Sequence, residues 1–506
     1  MPTWVPRSSF VISVLLVFSS CITSTTFGYD ASMVNGLNIL PQYLNYFGLN
    51  NNAVHIGLNT ASIWIGGVIA GLCWGKVTDT IGRRPAQLWA AIITIIAVVI
   101  QTAAQDIAMF VVARILVGFG TSASGLSGPA YLAETLPYKW RGWGVGMFND
   151  FYYVGGLIAA GVTFGTRNYT TTWGWRVPSL VQGLFSIICI IVLPFIPESP
   201  RWLVYQNRLE EARRVVAQTH ADGDETDPIV LAVFKEITDT IEWEKNHGET
   251  LSFRQLVKTP PARKRVLLAS SSAVFSTIAG NVVASYYLGT MLTNAGVTNT
   301  TTQLQINIIL NAFCLVVCIA GTRFIDIWGR KPTTLASQAG LTIFIFLIGG
   351  LTKVFGNSDN KSGVYGTVAC IFLFQGAYSF GWTPVLYLYP AEVLNYPIRA
   401  NGMGIFQFWL NGTALLFVFV MPIALQNIGW KIYMINGAWD VVVFFIILFW
   451  WVETKGKTIE EVDACFDGKK TDLPDLVAIE RGKEDITDFI TEVPTNEIAA
   501  GEEKTG

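Results

Sequence analysis

Two residues of opposite charge lie inside apolar segments of this sequence and are its strongest candidates for chemistry. Arg114 opens the run Arg114-Ile-Leu-Val-Gly118-Phe-Gly120, and Asp30 ends Phe27-Gly28-Tyr29-Asp30 in the first apolar segment. A charged side chain at a bilayer centre costs about 2.5–3.5 kcal/mol, so a chain keeps one where it faces a water-filled cavity or an opposite charge. We therefore predict an Asp30–Arg114 pair that couples to protons. The alternative is a static salt bridge that locks two helices.

The composition places these charges in a membrane protein. Of the 506 residues, 51% are hydrophobic and 14% are charged, and the mean hydropathy is +0.44, whereas soluble domains carry about 25% charged residues. Repeated apolar runs predict an all-α polytopic membrane protein embedded in a lipid bilayer. The net charge of −2 argues against a nucleic-acid partner. The cysteines show no CxxC or Cys/His spacing, so no metal site is predicted.

About twelve spans can be placed along the chain, at residues 10–40, 53–76, 87–105, 107–133, 142–165, 175–196, 265–293, 303–325, 333–352, 363–389, 401–426 and 429–452. They form an N-terminal six-helix bundle within 1–198 and a C-terminal six-helix bundle within 263–454. The polar segment 199–262 predicts a cytoplasmic linker of short amphipathic helices, for example at 209–217. The acidic tail, 455–506, has the composition of a disordered cytoplasmic segment.

The distribution of positive charge orients the chain. Loops on one side carry most of the basic residues: Arg83, Arg84, Lys139, Arg141, Arg201, Arg208, Arg213, Arg214, Arg263, Lys264, Arg265, Arg330, Lys331, Arg399, Lys455 and Lys457. The positive-inside rule therefore predicts that both termini are cytoplasmic. The glycosylation sequons at Asn168 and Asn299 fall in loops of the opposite, extracellular side. A third sequon, at Asn411, lies within a span and should stay unmodified.

The loops of the two halves repeat the same pattern of charges. In the first half, Gly75 and Asp79 precede Gly82-Arg83-Arg84-Pro85. In the second half, Gly321 and Asp326 precede Gly329-Arg330-Lys331-Pro332 with the same spacing to within one residue. Glu134 and Arg141 are likewise separated by the same distance in sequence as Glu392 and Arg399. Parallel repeats of this kind are typical of two-bundle transporters with a midplane site. We predict a cytoplasmic gate of ion pairs from these residues: Asp79, Arg83, Arg84, Glu134, Arg141, Glu198, Arg201, Asp326, Arg330, Lys331, Glu392, Arg399 and Glu453. The alternative is charge that only sets topology.

From about residue 10 to 462, the chain resembles the sugar porters of the major facilitator superfamily (MFS). The resemblance rests on the paired Gly-Arg-Arg and Gly-Arg-Lys motifs, on Pro197-Glu198-Ser199-Pro200-Arg201 and on Glu453-Thr-Lys-Gly456. The stretch 381–394 looks like the fungal lactose-permease and hexose-transporter branch. The resemblance implies the MFS fold and no cofactor, and the Asp30–Arg114 pair indicates a proton gradient as the energy source.

A sugar needs hydroxyl and amide partners and one or two aromatic faces. The predicted substrate-binding residues within spans are Phe27, Asn149, Asp150, Thr277, Asn281, Tyr286, Tyr287, Trp382, Tyr387, Gln407 and Asn411. The resemblance puts sugar-binding positions of the family at or beside Asn281, Tyr387 and Asn411. The chain departs from the family pattern, because Ser276 and Thr277 stand where sugar porters usually carry glutamine. Two further acids lie in apolar surroundings: Asp150 is predicted to have a substrate or second proton role, and Asp440 to be a helix-packing contact or a structural polar group.

These features predict a plasma-membrane symporter of a mono- or disaccharide with protons, working by alternating access. Three alternatives stay open: a facilitative sugar uniporter, a non-transporting nutrient sensor, and a carrier of a related polyol or quinate-like substrate. No GxSxG, Walker or HExxH pattern occurs, and the three histidines are dispersed. We therefore predict that the protein is not an enzyme.

Overall fold

The computed structural model describes residues 6, 8–49, 53–246, 251–355, 360–457, 462 and 465–466, and the regular structure of these residues is helical. The predicted disordered tail lies almost entirely outside the described residues. Along the rest of the chain, a series of long helices is followed by a group of shorter helices and then by further long helices.

Six long helices and one short helix form the N-terminal half. They are α1 (Ser9–Leu37), the short α2 (Pro41–Tyr46), α3 (Ala53–Ile81), α4 (Arg83–Thr102), α5 (Ile107–Thr135), α6 (Tyr138–Thr166) and α7 (Trp173–Val192). The described residues of the linker form four helices: α8 (Pro200–Tyr205), α9 (Leu209–His220), α10 (Pro228–Asn246) and α11 (Gln255–Lys258). The amphipathic helix predicted at 209–217 is thus present, and it buries Ala212, Val215 and Val216.

The C-terminal half repeats the order of long helices with one difference. It comprises α12 (Pro260–Ile278), α13 (Asn281–Tyr286), α14 (Leu288–Asn294), α15 (Thr300–Trp328), α16 (Arg330–Phe355), α17 (Lys361–Val393), α18 (Tyr396–Ile428) and α19 (Lys431–Trp450). The span predicted at 265–293 is interrupted, because the helix breaks between α12 and α13. Gly280 has a φ of +88° there, a left-handed conformation that favours glycine.

Ten of the described helices are long and apolar enough to cross a membrane. Together with α6 and the interrupted α12–α14, they make the twelve predicted spans, so the chain is a multi-pass membrane protein. The bilayer permits this architecture because each helix satisfies its own backbone hydrogen bonds.

Glycines bring the helices into close contact. A Cβ at Gly28 of α1 would overlap the backbone of Tyr152 in α6, and a Cβ at Gly118 of α5 would overlap the backbone of Ile63 in α3. Between the halves, Gly71 of α3 faces Gly404 of α18. Small residues are favoured at such crossings because association in lipid depends on close packing of helices. These crossings fix the helices that surround the site.

Candidate functional site

A cavity of about 70 Å³ lies between the two halves of the molecule. Because one water molecule needs about 10–15 Å³ of cavity volume, this cavity has room for several waters. Its walls come from α1, α3 and α6 on one side and from α12, α13, α17 and α18 on the other. The residues that line it are Phe27, Trp64, Asn149, Tyr152, Tyr153, Thr277, Asn281, Val282, Ser285, Tyr286, Tyr378, Thr383, Leu386, Tyr387, Leu410 and Ala414.

Aromatic rings from both halves meet at this cavity. The ring of Phe27 packs at 5.7 Å from Trp64 and at 5.6 Å from Tyr152, between ring centroids. Trp64 in turn contacts Tyr286 of the other half at 5.8 Å. Polar groups lie between the rings, among them the amide of Asn281 on the short helix α13. Aromatic faces and a few hydrogen-bonding groups in this arrangement can bind a polar ligand in one defined orientation.

A smaller cavity of about 10 Å³ adjoins the first and shares Phe27, Tyr387 and Leu410 with it. Its polar lining includes Gln407 and Asn411 of α18. Gln407 lies 3.4 Å from the hydroxyl of Tyr387, and Ser122 of α5 donates to Asn411 at 3.2 Å. The two cavities therefore form one polar region that crosses the boundary between the halves.

Eight of the eleven predicted substrate-binding residues line one of these cavities: Phe27, Asn149, Thr277, Asn281, Tyr286, Tyr387, Gln407 and Asn411. The other three are buried elsewhere. Tyr287 donates its hydroxyl to the carbonyl of Val418 at 2.7 Å, and the indole of Trp382 donates to Gln338 at 2.8 Å. The carboxylate of Asp150 accepts a hydrogen bond from Thr322 of α15. They are outside the cavity lining.

The sequence-based prediction did not include several residues that also line the larger cavity, among them Trp64, Tyr152, Tyr153, Tyr378 and Thr383. Tyr152 and Tyr153 directly follow Asn149-Asp150, so their proximity to a named candidate was a usable signal. Tyr153 accepts a hydrogen bond from Ser379 of α17 at 2.8 Å, which joins the two halves beside the cavity.

The predicted pair of Asp30 and Arg114 is formed. Nη1 of Arg114 lies 3.3 Å from Oδ1 of Asp30, and both side chains are fully buried. Gln182 of α7 donates to the same carboxylate oxygen at 3.2 Å. The second oxygen, Oδ2, is buried without a hydrogen-bond partner among the described residues. One carboxylate oxygen is thus shared by two donors while the other has capacity for a proton.

Arg114 is held by more than its carboxylate partner. Its Nε donates to the carbonyl of Asn59 at 3.1 Å and to the hydroxyl of Ser62 at 3.2 Å, and Nη2 contacts the carbonyl of Thr60 at 3.4 Å. All three acceptors belong to α3. Asp30 lies three residues after Phe27 on α1, so the charge pair lies about one helical turn from the cavity wall.

The helix ends of the N-terminal half that were predicted to face the cytoplasm form an ion-pair network. Arg83 contacts Glu134 through Nε at 2.9 Å and Nη2 at 3.1 Å, and its Nη1 lies 3.3 Å from Asp79. Glu198 accepts the backbone N–H groups of Arg83 at 2.9 Å and Arg84 at 3.3 Å. The carboxylate therefore caps the first turn of α4 after Gly82, whose φ of +101° requires glycine.

The C-terminal half repeats this geometry. Arg330 pairs with Glu392 at 2.7 Å and with Asp326 at 3.4 Å. Glu453 accepts the backbone N–H groups of Arg330 at 3.0 Å and Lys331 at 2.9 Å, after Gly329 with a φ of +102°. The repeat seen in the sequence is thus a structural repeat of matching contacts.

Other contacts cross between the halves on the side of the ion-pair network. Arg399 of α18 lies 3.3 Å from Glu134, and Asn401 donates to Asp79 at 3.3 Å. The guanidinium of Arg83 lies 5.3 Å from the centre of the Tyr396 ring. Of the remaining gate candidates, Arg201 is buried in α8 and Arg141 lies in the first turn of α6. Their membership of a moving gate stays a prediction.

The halves also touch on the opposite side of the cavity. Asn35 of α1 donates to Asn307 of α15 at 3.4 Å, and Asn307 contacts Ser32 at the same distance. The cavity therefore has contacts between the halves both above and below it. The sequon residues Asn168 and Asn299 are exposed in loops next to α6 and α15, whereas Asn411 is buried.

The sequence is similar to known transporters. The family described as "Sugar (and other) transporter" matches residues 16–466. The chain is 29% identical to the MFS glucose transporter mfs1 of Aspergillus flavus, over 87% of both chains. It is 28% identical to a high-affinity glucose transporter of Kluyveromyces lactis, covering 88% of this chain and 83% of the relative. These relatives are transporters, not enzymes.

Solved structures share the fold at lower identity. The proton:xylose symporter XylE bound to 6-bromo-6-deoxy-D-glucose superposes with a TM-score of 0.79 and 22% identity, covering 91% of this chain and all of the other. The inward-open conformation of XylE from E. coli gives a lower TM-score of 0.67.

Proposed function

The chain belongs to the sugar transporter family of the major facilitator superfamily, and from that premise we propose that it carries a sugar across the plasma membrane together with a proton. The observation that carries the proposal is the buried Asp30–Arg114 pair, with one carboxylate oxygen that has no hydrogen-bond partner. Alternating access would move the sugar, and the pair would couple that movement to the proton gradient.

Protonation of Asp30 would change what holds α1 against α5. A neutral carboxyl no longer attracts the guanidinium of Arg114, whose other acceptors all lie on α3. Arg114 would then stay with α3 while α1 is free to shift. Because Phe27 lies one turn from Asp30, the shift would move the cavity wall. Proton binding and substrate binding would thus act on the same helix.

The available driving force is sufficient for accumulation. One proton that moves down about 100 mV and one pH unit releases roughly 2.3 plus 1.4 kcal/mol. That energy supports an accumulation of several-hundred-fold, since about 1.4 kcal/mol corresponds to a factor of ten.

The substrate class follows from the lining of the cavity. Asn149, Asn281 and Gln407 supply amides, while Phe27 and Tyr387 supply ring faces. Glucose transporters among the relatives support a hexose as the first compound to test. An uptake panel of hexoses, pentoses, lactose, cellobiose and quinate, with and without a protonophore, would identify the substrate. Uptake that no protonophore affects would favour a uniporter.

The coupling site can be tested in proteoliposomes that carry an imposed pH gradient. We expect Asp30→Asn to lose accumulation while it retains exchange of labelled for unlabelled sugar, because the neutral side chain keeps the cavity intact. Asp440→Asn is the matched control, since Asp440 is also a buried carboxylate of a membrane helix. Full pH-driven accumulation by Asp30→Asn would refute the assignment.

The remaining topology is proposed on the same basis. Both termini and the linker helices α8–α11 would be cytoplasmic, and the ion-pair network would close that side when the cavity faces outward. Asn168 and Asn299 would carry glycans on the extracellular side. Asn299 also accepts a hydrogen bond from the N–H of Thr302 through Oδ1 at 3.1 Å, which leaves its nitrogen free to bear a sugar.

A further inference from the structure

A carboxylate outside the coupling pair lies at the contact between the two halves. Asp150 of α6 is fully buried, and its Oδ2 is hydrogen-bonded to the hydroxyl of Thr322 on α15. Its Oδ1 is buried and has no hydrogen-bond partner among the described residues, although the thiol of Cys318 lies nearby. Thr322 belongs to the C-terminal half, so this hydrogen bond crosses the boundary that must open during transport.

Among the described residues, no compensating positive charge lies beside Asp150. The titratable groups that face it there are the thiols of Cys21 on α1 and Cys318 on α15, neither of which can carry a positive charge, and no charged group faces it from α5, α7 or α17. An ionised carboxylate buried without a counter-ion is strongly unfavourable, so the group takes up a proton. Asp30 is equally buried, but Arg114 can stabilise its charged form.

The face of α6 that carries Asp150 is packed closely against α15. Gly142 and Gly146 precede Asp150 at intervals of four residues, which places all three on one side of the helix. A Cβ at Gly146 would lie 2.9 Å from the side chain of Thr322, and one at Gly142 would lie 2.5 Å from Asp326. Asp326 pairs with Arg330 of the cytoplasmic network. Water can reach Asp150 from the cytoplasm only when this face separates from α15.

We propose that Asp150 is a second proton-binding site, protonated while α6 and α15 are in contact and deprotonated when the cytoplasmic side opens. The proton passes to cytosolic water, and the carboxylate is then hydrated in place of its bond to Thr322. A more alkaline cytosol would therefore favour the inward-open state. This inference rests on the alternating-access carrier proposed above, but it requires neither the Asp30 assignment nor a particular sugar.

The test measures the separation of α6 and α15 directly. Spin-labelled noncanonical amino acids replace Trp143 and Ile327, which are exposed near the cytoplasmic ends of these helices. The full-length protein is studied in lipid nanodiscs by electron–electron distance measurement between pH 5.5 and 8.5, without sugar or a gradient. We expect the ratio of separated to closed molecules to rise with pH, by up to about tenfold per pH unit for one proton.

Three variants make the outcome decisive. Asp150→Asn imitates the protonated form, so it should stay closed across the whole pH range. Thr322→Val keeps the carboxyl but removes its partner in the closed state, so the transition should move to lower pH. Asp440→Asn, the matched control, should retain the wild-type pH dependence.

A flat wild-type response, or a wild-type response in Asp150→Asn, would overturn the proposal. Should Asp150→Asn fail to fold, an unchanged transition in Thr322→Val would overturn it instead. Because no sugar or gradient is present, these results are independent of the accumulation assay for Asp30. A failure of symport in that assay would leave this titration unaffected.

Discussion

The two halves of the molecule each bury a carboxylate inside a bundle, but they satisfy it with different chemistry. In the N-terminal half, Asp30 accepts contacts from Arg114 at 3.3 Å and Gln182 at 3.2 Å. In the C-terminal half, Asp440 accepts from the amides of Gln338 and Asn436, each at 3.1 Å. Among the described residues, no cation contributes to the electrostatic environment of Asp440. One half therefore contains an ion pair, and the other contains an amide network.

The difference indicates which half can respond to a proton. An ion pair changes strongly when its acid is neutralised, because the guanidinium loses its attraction to α1. The amides of Gln338 and Asn436 hydrogen-bond equally well to a neutral carboxyl, since each carries both donor and acceptor groups. Asn436 also lies against Gly280 at the break before α13. We interpret the C-terminal network as a support for the cavity and the N-terminal pair as its switch.

Removing the arginine should produce the largest effect. Arg114→Met leaves Asp30 buried without its counter-ion, and breaking a buried pair in this way costs about 3–5 kcal/mol. Unfolding by denaturant in mixed micelles would measure this loss. The double variant Asp30→Asn, Arg114→Met should recover much of it, because no uncompensated charge remains. If the double variant were as unstable as the single one, the charge would not be the cause.

Much of this comparison could be predicted from the sequence, and the rest could not for a physical reason. Asp30 and Arg114 were paired correctly because charges inside apolar segments need partners. Asp150 and Trp382 were assigned to the cavity, yet each residue of a helix turns by about 100°, and Asp150 follows Asn149 onto another face. In a membrane helix both faces are apolar, so the pattern does not tell which face meets the cavity. The break at Gly280 was missed because apolar residues continue across it.

A moderate effect is expected in the amide network. Gln338→Leu removes a donor to Asp440 and the acceptor of the Trp382 indole, whose nitrogen lies 2.8 Å away. Leaving buried polar groups unpaired costs about 1–3 kcal/mol each, so the denaturation midpoint should fall. Accumulation driven by a pH gradient should persist in proteoliposomes. Loss of coupling with normal exchange would show instead that the C-terminal carboxylate also acts as a switch.

The smallest effect concerns the protonation of His220, which lies outside the membrane-spanning helices. Its effect must be distinguished from protonation of Asp30 and Asp440. Burial at the end of α9 lowers the pKa of His220 to about 4, and the nearby Arg141 and Arg201 act in the same direction. Nδ1 of the ring lies 3.1 Å from the carbonyl oxygen of Val216. Since the unfolded pKa is about 6.5, the unfolded linker binds more protons between these values. Its stability should therefore fall as the pH decreases from 6.5 towards 4.

Amide hydrogen exchange of residues 209–220, corrected for the intrinsic dependence of exchange on pH, would measure this local stability. We expect wild-type protection to weaken below pH 6.5, and His220→Gln to show little dependence on pH. Asp30→Asn should behave as the wild type, because its carboxyl belongs to α1 inside the membrane. If His220→Gln weakened just as the wild type does, another group would titrate there. Acid sensitivity of the linker could then not be assigned to His220.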